Sequence, residues 1–294
     1  MTLFGISSQA LFGQLLLGLI NGSFYAVLSL GLAVIFGLLN IINFSHGALY
    51  MIGAFVALLG LEHHSLNYWA ALVAAPVVVG LLGVLIERTM LKHLYKLDHL
   101  YGLLLTFGLA LIAEGVFRYY FGVSGSSYAP PEELQGGVDL GFMFMPLYRG
   151  WVVLASLAVC LATWYVIERT PLGATLRAAT ERPLLVQALG INVPVLVTAT
   201  YGVGVALAAF AGVLAAPVIQ VNPVMGSNLI IVVFAVVVIG GMGSIAGSIV
   251  TGLGLGLVEG LTKVVYPEAS AVVIFVIMIV VLLFRPAGLF GKQA

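Results

Sequence analysis

Charge is what this chain has least of. Asp, Glu, Lys and Arg make up 7% of its 294 residues, against about 25% in an ordinary soluble domain. No charged residue precedes Glu62, and no Lys or Arg precedes Arg88. A water-soluble globular domain is thereby excluded. No cleaved signal peptide is expected either, because the opening apolar run is too long and has no basic start. Net charge is zero, so nothing favours nucleic acid or a polybasic lipid-binding segment. The single cysteine, Cys160, permits no intramolecular disulfide and no CxxC metal motif. The patterns GxxxxGK[ST], GxSxG and HExxH are all missing, as are paired intramembrane aspartates. The five histidines are scattered, and His63 and His64 are adjacent rather than one helical turn apart. A membrane enzyme is set aside, and no cofactor or metal site is expected on this chain.

What is present is apolar: 62% of residues are hydrophobic and mean hydropathy is +1.19. Long apolar segments fall near 10–38, 44–61, 67–86, 100–118, 150–167, 194–217, 227–241, 245–265 and 270–284. A helix needs roughly 20 apolar residues to cross a bilayer. The expectation is an all-α, polytopic integral membrane protein, a single transmembrane domain over 1–294. It has about eight transmembrane helices, or nine if both short, Gly-broken pieces around 227–265 cross. The first segment is longer than a straight span requires, so it should tilt strongly or break, with Asn21-Gly22-Ser23 the weak point. Short-loop basic residues set orientation. Arg88, Lys92, Lys96, Arg169, Arg177, Arg182, Arg285 and Lys292 fall on one side, and Arg118, Arg149 and Lys263 on the other. The first group marks the cytoplasm, which puts the N-terminus outside and the C-terminus inside. The external loop 121–148 is rich in Gly, Ser and Pro. It is either a docking surface for an outside partner or an ordered connection.

Residues 172–192, LGATLRAATERPLLVQALGIN, form the one extended polar interruption with an internal design. Two short helices are expected, broken at Arg182-Pro183, with Pro183 in a first turn and Gly190 ending the second helix as its C′ residue. Leu184, Leu185, Ala188 and Leu189 supply an apolar stripe. Such a stripe either docks a partner protein or lies on lipid headgroups. In a second stretch, Ser244, Ser248, Gly252, Gly256 and Gly260 recur every four residues. One helix face then carries only small side chains, which lets two backbones approach closely. The preceding Gly240-Gly241-Met242-Gly243 cluster can break a helix at membrane depth, tolerated only against protein or a water-filled path.

Polar groups inside the first two spans must face other helices or a hydrated path, because lipid leaves them unsatisfied. Asn21, Ser23, Tyr25, Asn40, Asn43, Ser45 and His46 are such groups. Asn21, Ser23, Tyr25, Asn43, Ser45 and His46 are the candidates for lining a substrate path, with 40–47 reading as a helix end or re-entrant turn. Glu114 with Arg118, and Glu259 with Lys263, stand at i,i+4 in the orientation that favours a helical ion pair. They are assigned as structural pairs in preference to a proton relay.

These stretches together resemble the permease subunits of branched-chain amino-acid ABC importers of the LivH type, over nearly the whole chain. The resemblance rests on Asn21-Gly22-Ser23-x-Tyr25-Ala26, INFSHGALYMIGAF (42–55), RAATERPLLVQALGIN (177–192), VVIGGMGSIAGSIVTGLGLG (237–256) with Glu259, and RPAGLFG (285–291). It implies half of a channel in the bacterial inner membrane, paired with a similar, longer second permease. Two cytoplasmic ATPase subunits holding ATP and Mg would drive it, and a periplasmic binding protein would deliver substrate. The segment 177–190 then corresponds to the family's coupling segment, with Arg177, Glu181, Arg182, Pro183, Leu185, Ala188, Leu189 and Gly190 toward an ATPase. Position 182 departs from the family, which usually carries Asp or Asn there. Relatives carrying urea, short amides or aromatic acids share these motifs, and a stand-alone ion-coupled carrier is the rival from another class.

Overall fold

The computed structural model describes residues 2–3, 6–39, 41–95 and 97–291. Asn40, Lys96 and Lys292, used above, lie outside the described residues. Eleven α-helices follow one another among those described: α1 (Ser8–Leu39), α2 (Ser45–His64), α3 (Tyr68–Thr89), α4 (His99–Phe121), α5 (Leu147–Arg169), α6 (Pro171–Glu181), α7 (Pro183–Ala188), α8 (Val193–Ala215), α9 (Met225–Gly240), α10 (Ile245–Val265) and α11 (Val273–Phe284). Nine of these are the apolar segments expected from the sequence. By length and composition, α1, α2, α3, α4, α5, α8 and α10 suffice to cross a membrane, and α9 and α11 are shorter apolar helices.

Side-chain caps fix where several helices begin. Asn67 accepts from Ala70 N at 2.8 Å before α3, and Asp98 from Leu100 N at 2.9 Å before α4. Asn192 accepts from Val195 N at 3.2 Å before α8, and Ser244 from Gly247 N at 3.0 Å before α10. Each such bond satisfies an amide that the first helical turn otherwise leaves orphaned.

The central element is α1, packed by α8, α9, α10 and α5. Of the two alternatives its length left open, a strong tilt or a break at Asn21-Gly22-Ser23, the break does not occur; it runs helical through its whole 32 residues. The reason is local. A Cβ at Gly22 would meet the backbone of Leu253 and Gly252 at 3.0–3.1 Å, so this glycine serves close packing of two helices rather than a bend. By contrast α4 is peripheral, with Leu100, Leu104, Leu111 and Ile112 turned outward, as a lipid-facing helix requires.

One end of the bundle gathers the end of α1, the loop after α3, α6–α7, the α9–α10 turn and 285–291. Six described basic residues lie at this end, namely Arg88, Lys92, Arg169, Arg177, Arg182 and Arg285; it is called the basic end below. At the opposite end, 122–146 is ordered. It carries an antiparallel hairpin of Gly137–Asp139 with Phe144–Pro146 and a bridge from Ser126 to Val221. The glycine cluster 240–243 breaks the chain at the basic end rather than at mid-depth. Gly241 and Gly243 have φ of +101° and +84°, and Leu289 N and Phe290 N donate to the carbonyls of Ile239 and Gly240 at 2.8 and 3.1 Å.

Two helices start inside the bundle instead of at its surface. His46, at the head of α2, donates from Nε2 to Leu28 O at 3.1 Å. Leu28 lies eleven residues before the end of α1, so α2 begins on the order of 16 Å in from that end at 1.5 Å per residue. The head of α9 meets it there, since a Cβ at Gly47 would sit 2.6 Å from the Gly226 carbonyl oxygen. The non-helical 41–44 segment therefore runs back into the bundle.

Candidate functional site

The segment 172–192 is built as two helices hinged at Arg182. Pro183 occupies the first turn of α7. At its end, Gly190 N donates to Gln187 O at 2.9 Å and Ile191 N to Val186 O at 3.3 Å. With Gly190 at φ +86°, this is the paired closure that a C′ glycine makes. Val186 turns inward with Ala179 and Val193, an anchor the sequence reading did not single out. Leu184, Leu185 and Leu189 point the other way, 81%, 59% and 74% exposed, and Ala188 is exposed beside them. A six-residue helix whose two leucines, with Leu189 at its C-cap, turn away from its own chain has an unpartnered apolar face.

This knuckle is tied firmly to α5. Arg177 Nη1 donates to Ile167 O at 2.9 Å and lies 3.4 Å from Glu168 Oε2. A Cβ at Gly173 would overlap the Ile167 carbonyl, so α6 is pressed onto the last turn of α5. Behind it lies a cavity of ≈ 620 Å³, lined among others by Gly37, Arg177, Glu181, Gly243, Ser244 and Phe290. Arg182 is exposed at the hinge.

The small-residue stripe of α10 faces α1 over its full length. Ser29 Oγ donates to Ser248 O at 3.2 Å, and a Cβ at Gly252 would meet Ala26 at 2.7 Å. A Cβ at Gly256 would overlap Gly18 and Gly22, and one at Gly260 would meet Gln14 and Gly18. Ser244 heads the stripe as the helix cap. Beside the seam, Glu259 accepts from Tyr25 OH at 2.7 Å and from Lys263 Nζ at 2.5 Å. The other assigned pair, Arg118 with Glu114, closes at 2.9 Å.

The polar candidates do not converge on one cavity. Ser23 is buried and donates within α1 to Leu19 O, Tyr25 is held by Glu259, and Asn21 is half-buried. Asn43, Ser45 and His46 form a separate group where α2 begins. Asn43 Nδ2 donates to Tyr201 OH at 3.1 Å, and Asn43 Oδ1 accepts from Ser45 N at 3.1 Å and Ser45 Oγ at 2.5 Å. Thr106 of α4 braces the same segment, its Oγ1 accepting from Phe44 N at 3.1 Å. Against the heads of α2 and α9 lies a small pocket of ≈ 60 Å³, lined by residues including Phe44, Gly47, Phe107, Glu114, Gly226 and Ile230. At about 10–15 Å³ per water-sized group, it has room for roughly four such groups.

Glu87, Tyr95, Thr198 and Tyr201 were not foreseen. Glu87 is 2% exposed at the end of α3 and accepts from Tyr95 OH and Thr198 Oγ1, both at 2.7 Å. Burial, reinforced by the Glu87 acceptor, raises the Tyr95 phenol above its ordinary range, so that hydroxyl stays a donor. The only available signal was that Glu87 ends an apolar run, which looks the same as the start of a polar loop. Among the described residues, no cluster of His, Cys, Asp or Glu suits a metal ion.

Comparison with known proteins fits this architecture. The chain is 32% identical over 298 residues to the high-affinity branched-chain amino acid transport system permease protein BraD of Pseudomonas aeruginosa, covering 95% of each protein. It is 30% identical over 295 residues to LivH of Escherichia coli K12, again covering 95% of each. The E. coli permease LivM is more distant, at 27% over 290 residues and 67% of its length. No solved structure matches. The family described as branched-chain amino acid transport system / permease component matches residues 14–282, and the chain, a multi-pass membrane protein, belongs to it.

Proposed function

We propose that this chain is the transmembrane half-channel of an ATP-driven importer in a bacterial inner membrane. It passes branched-chain or related hydrophobic amino acids by alternating access. The observation that carries the reading is the knuckle of α7. Its leucines are exposed at the basic end, on a segment locked to the bundle through Val186 of α7 and Arg177 of α6. Basic residues favour the cytoplasmic side, so this end faces the cytoplasm, with the N-terminus outside. An ATPase subunit that covers Leu184, Leu185 and Leu189 and binds ATP with Mg supplies the energy. Similarity to both LivH and LivM supports pairing with a second, homologous permease, and a periplasmic binding protein delivers substrate. Closure of the ATPases moves α6–α7 as a unit, and packed helices rock to open the path on one side or the other. The path runs beside the buried heads of α2 and α9, near Asn43, Ser45 and His46. Interrupted helices of this kind recur at transporter midplanes because their free backbone groups can meet a polar substrate.

The test is the assembled complex. Leu189→Asp or Ala188→Arg should leave membrane insertion intact and detach the ATPases. Retention of full ATPase stoichiometry with normal uptake in both variants defeats the assignment. Uptake driven by an ion gradient in vesicles holding this chain alone overturns the importer reading as a whole.

A further inference from the structure

Glu87 is a buried carboxylate with no ion-pair partner among the described residues. Removing such a group from water costs several kcal/mol, and a leucine would fill the same space without that cost. What the carboxylate supplies is direction. Its two oxygens are held by hydroxyls from two different elements, Tyr95 in the loop after α3 and Thr198 on α8. Bonds to a carboxylate are about twice as strong as neutral ones, and each is either made or broken.

The position of Thr198 gives this clamp its reach. Helix α8 begins at Val193, three residues beyond the glycine that closes α7, so a displacement of α6–α7 enters the membrane through α8. One turn beyond Thr198 on the same helix, Tyr201 accepts from Asn43, and Asn43 holds the head of α2 through Ser45. Helices α3 and α8 approach closely, since a Cβ at Gly83 would meet the Val205 side chain at 2.9 Å. Beside Ile41 at the start of the 41–44 segment lies a pocket of ≈ 50 Å³, lined also by Leu39, Leu91 and Tyr95. The segment is thus bonded to α8 through Asn43 and to α4 through Thr106, with free volume beside Ile41.

We propose that Glu87 is a positioning residue that holds α8 in register with α3, so that motion of the coupling segment reaches the 41–44 break and the head of α2. It thereby sets how much substrate moves per ATP hydrolysed. This rests on the reading of α6–α7 as the ATPase contact.

The experiment uses the complete importer in lipid vesicles. It records both ATP hydrolysis and uptake of whichever of leucine, valine, phenylalanine or urea the unmodified complex accumulates. Glu87→Gln keeps the size but leaves a single acceptor oxygen, and Thr198→Val removes only the hydroxyl. Both variants should retain the ATPase subunits, and transport per ATP should fall on the order of 3- to 30-fold, the range seen when coupling contacts are altered. The double variant should be no worse than Glu87→Gln alone, because both break one bond. A purely structural role would lower hydrolysis and uptake together and leave their ratio unchanged; that result overturns the proposal. So do losses that multiply in the double variant, and so does release of the ATPases by both single variants. If Glu87→Gln does not accumulate, Thr198→Val alone decides by the same ratio. A failure of the coupling reading itself shows elsewhere, as Leu189→Asp complexes that keep their ATPases and transport normally.

Discussion

Two regions of this bundle are held together by opposite chemistry. Along α1–α10, glycines and serines let backbones touch, with Gly18, Gly22, Gly252, Gly256 and Gly260 interleaved. At the basic ends of α3 and α8, the contact is two sets of oriented polar bonds one turn apart on α8, Tyr95 and Thr198 on Glu87, and Tyr201 and Ser45 on Asn43. The first kind of contact has no second arrangement, because sliding the helices brings a side chain where only a hydrogen fits. The second kind can be made, broken or remade at modest cost. On the proposed coupling route, α1–α10 is the rigid spine and the polar junction transmits the motion.

Substitutions can break this comparison. The largest effect is expected at the spine. Gly256→Leu would force α1 and α10 apart, at a cost of about 3 kcal/mol or more. It should appear as loss of folded protein or a much lower thermal midpoint in detergent; normal stability would show that the seam opens freely. Next comes Asn43→Leu, which strands the Tyr201 and Ser45 hydroxyls at about 1–3 kcal/mol. Uptake should fall while the complex stays assembled, and unchanged uptake kinetics would remove Asn43 from the path. The smallest effect belongs to Tyr25→Phe. Glu259 keeps Lys263 as a partner, so about 1 kcal/mol of stability should be lost, with hydrolysis and uptake unaffected. A strong transport defect there would move the polar machinery onto the spine and erase the contrast.

Much of the spine was legible in the sequence because its signal is periodic. Small residues four apart define one helix face whatever the neighbour is. The knuckle was legible for a similar reason, since Pro183 and Gly190 are backbone instructions that operate within a few residues. Asn21-Gly22-Ser23 misled because a glycine beside polar residues reads equally as a bend or as a close contact. Only the presence of Leu253 and Gly252 across from it decides. Glu87 was invisible because its partners lie 8 and 111 residues away along the chain, and an acid at the end of an apolar run ordinarily faces water.

The sequence by itself determined the solvent and the segments. Hydropathy measures the preference of each stretch for lipid over water, and that preference is a sum over local residues. Once the helices are in lipid, that preference no longer distinguishes one neighbour from another. Which helices touch, how deep α2 and α9 begin, and which polar group meets which partner are set by short-range packing and directional bonds. Those terms exist only between surfaces already side by side, so only the tertiary structure decided them.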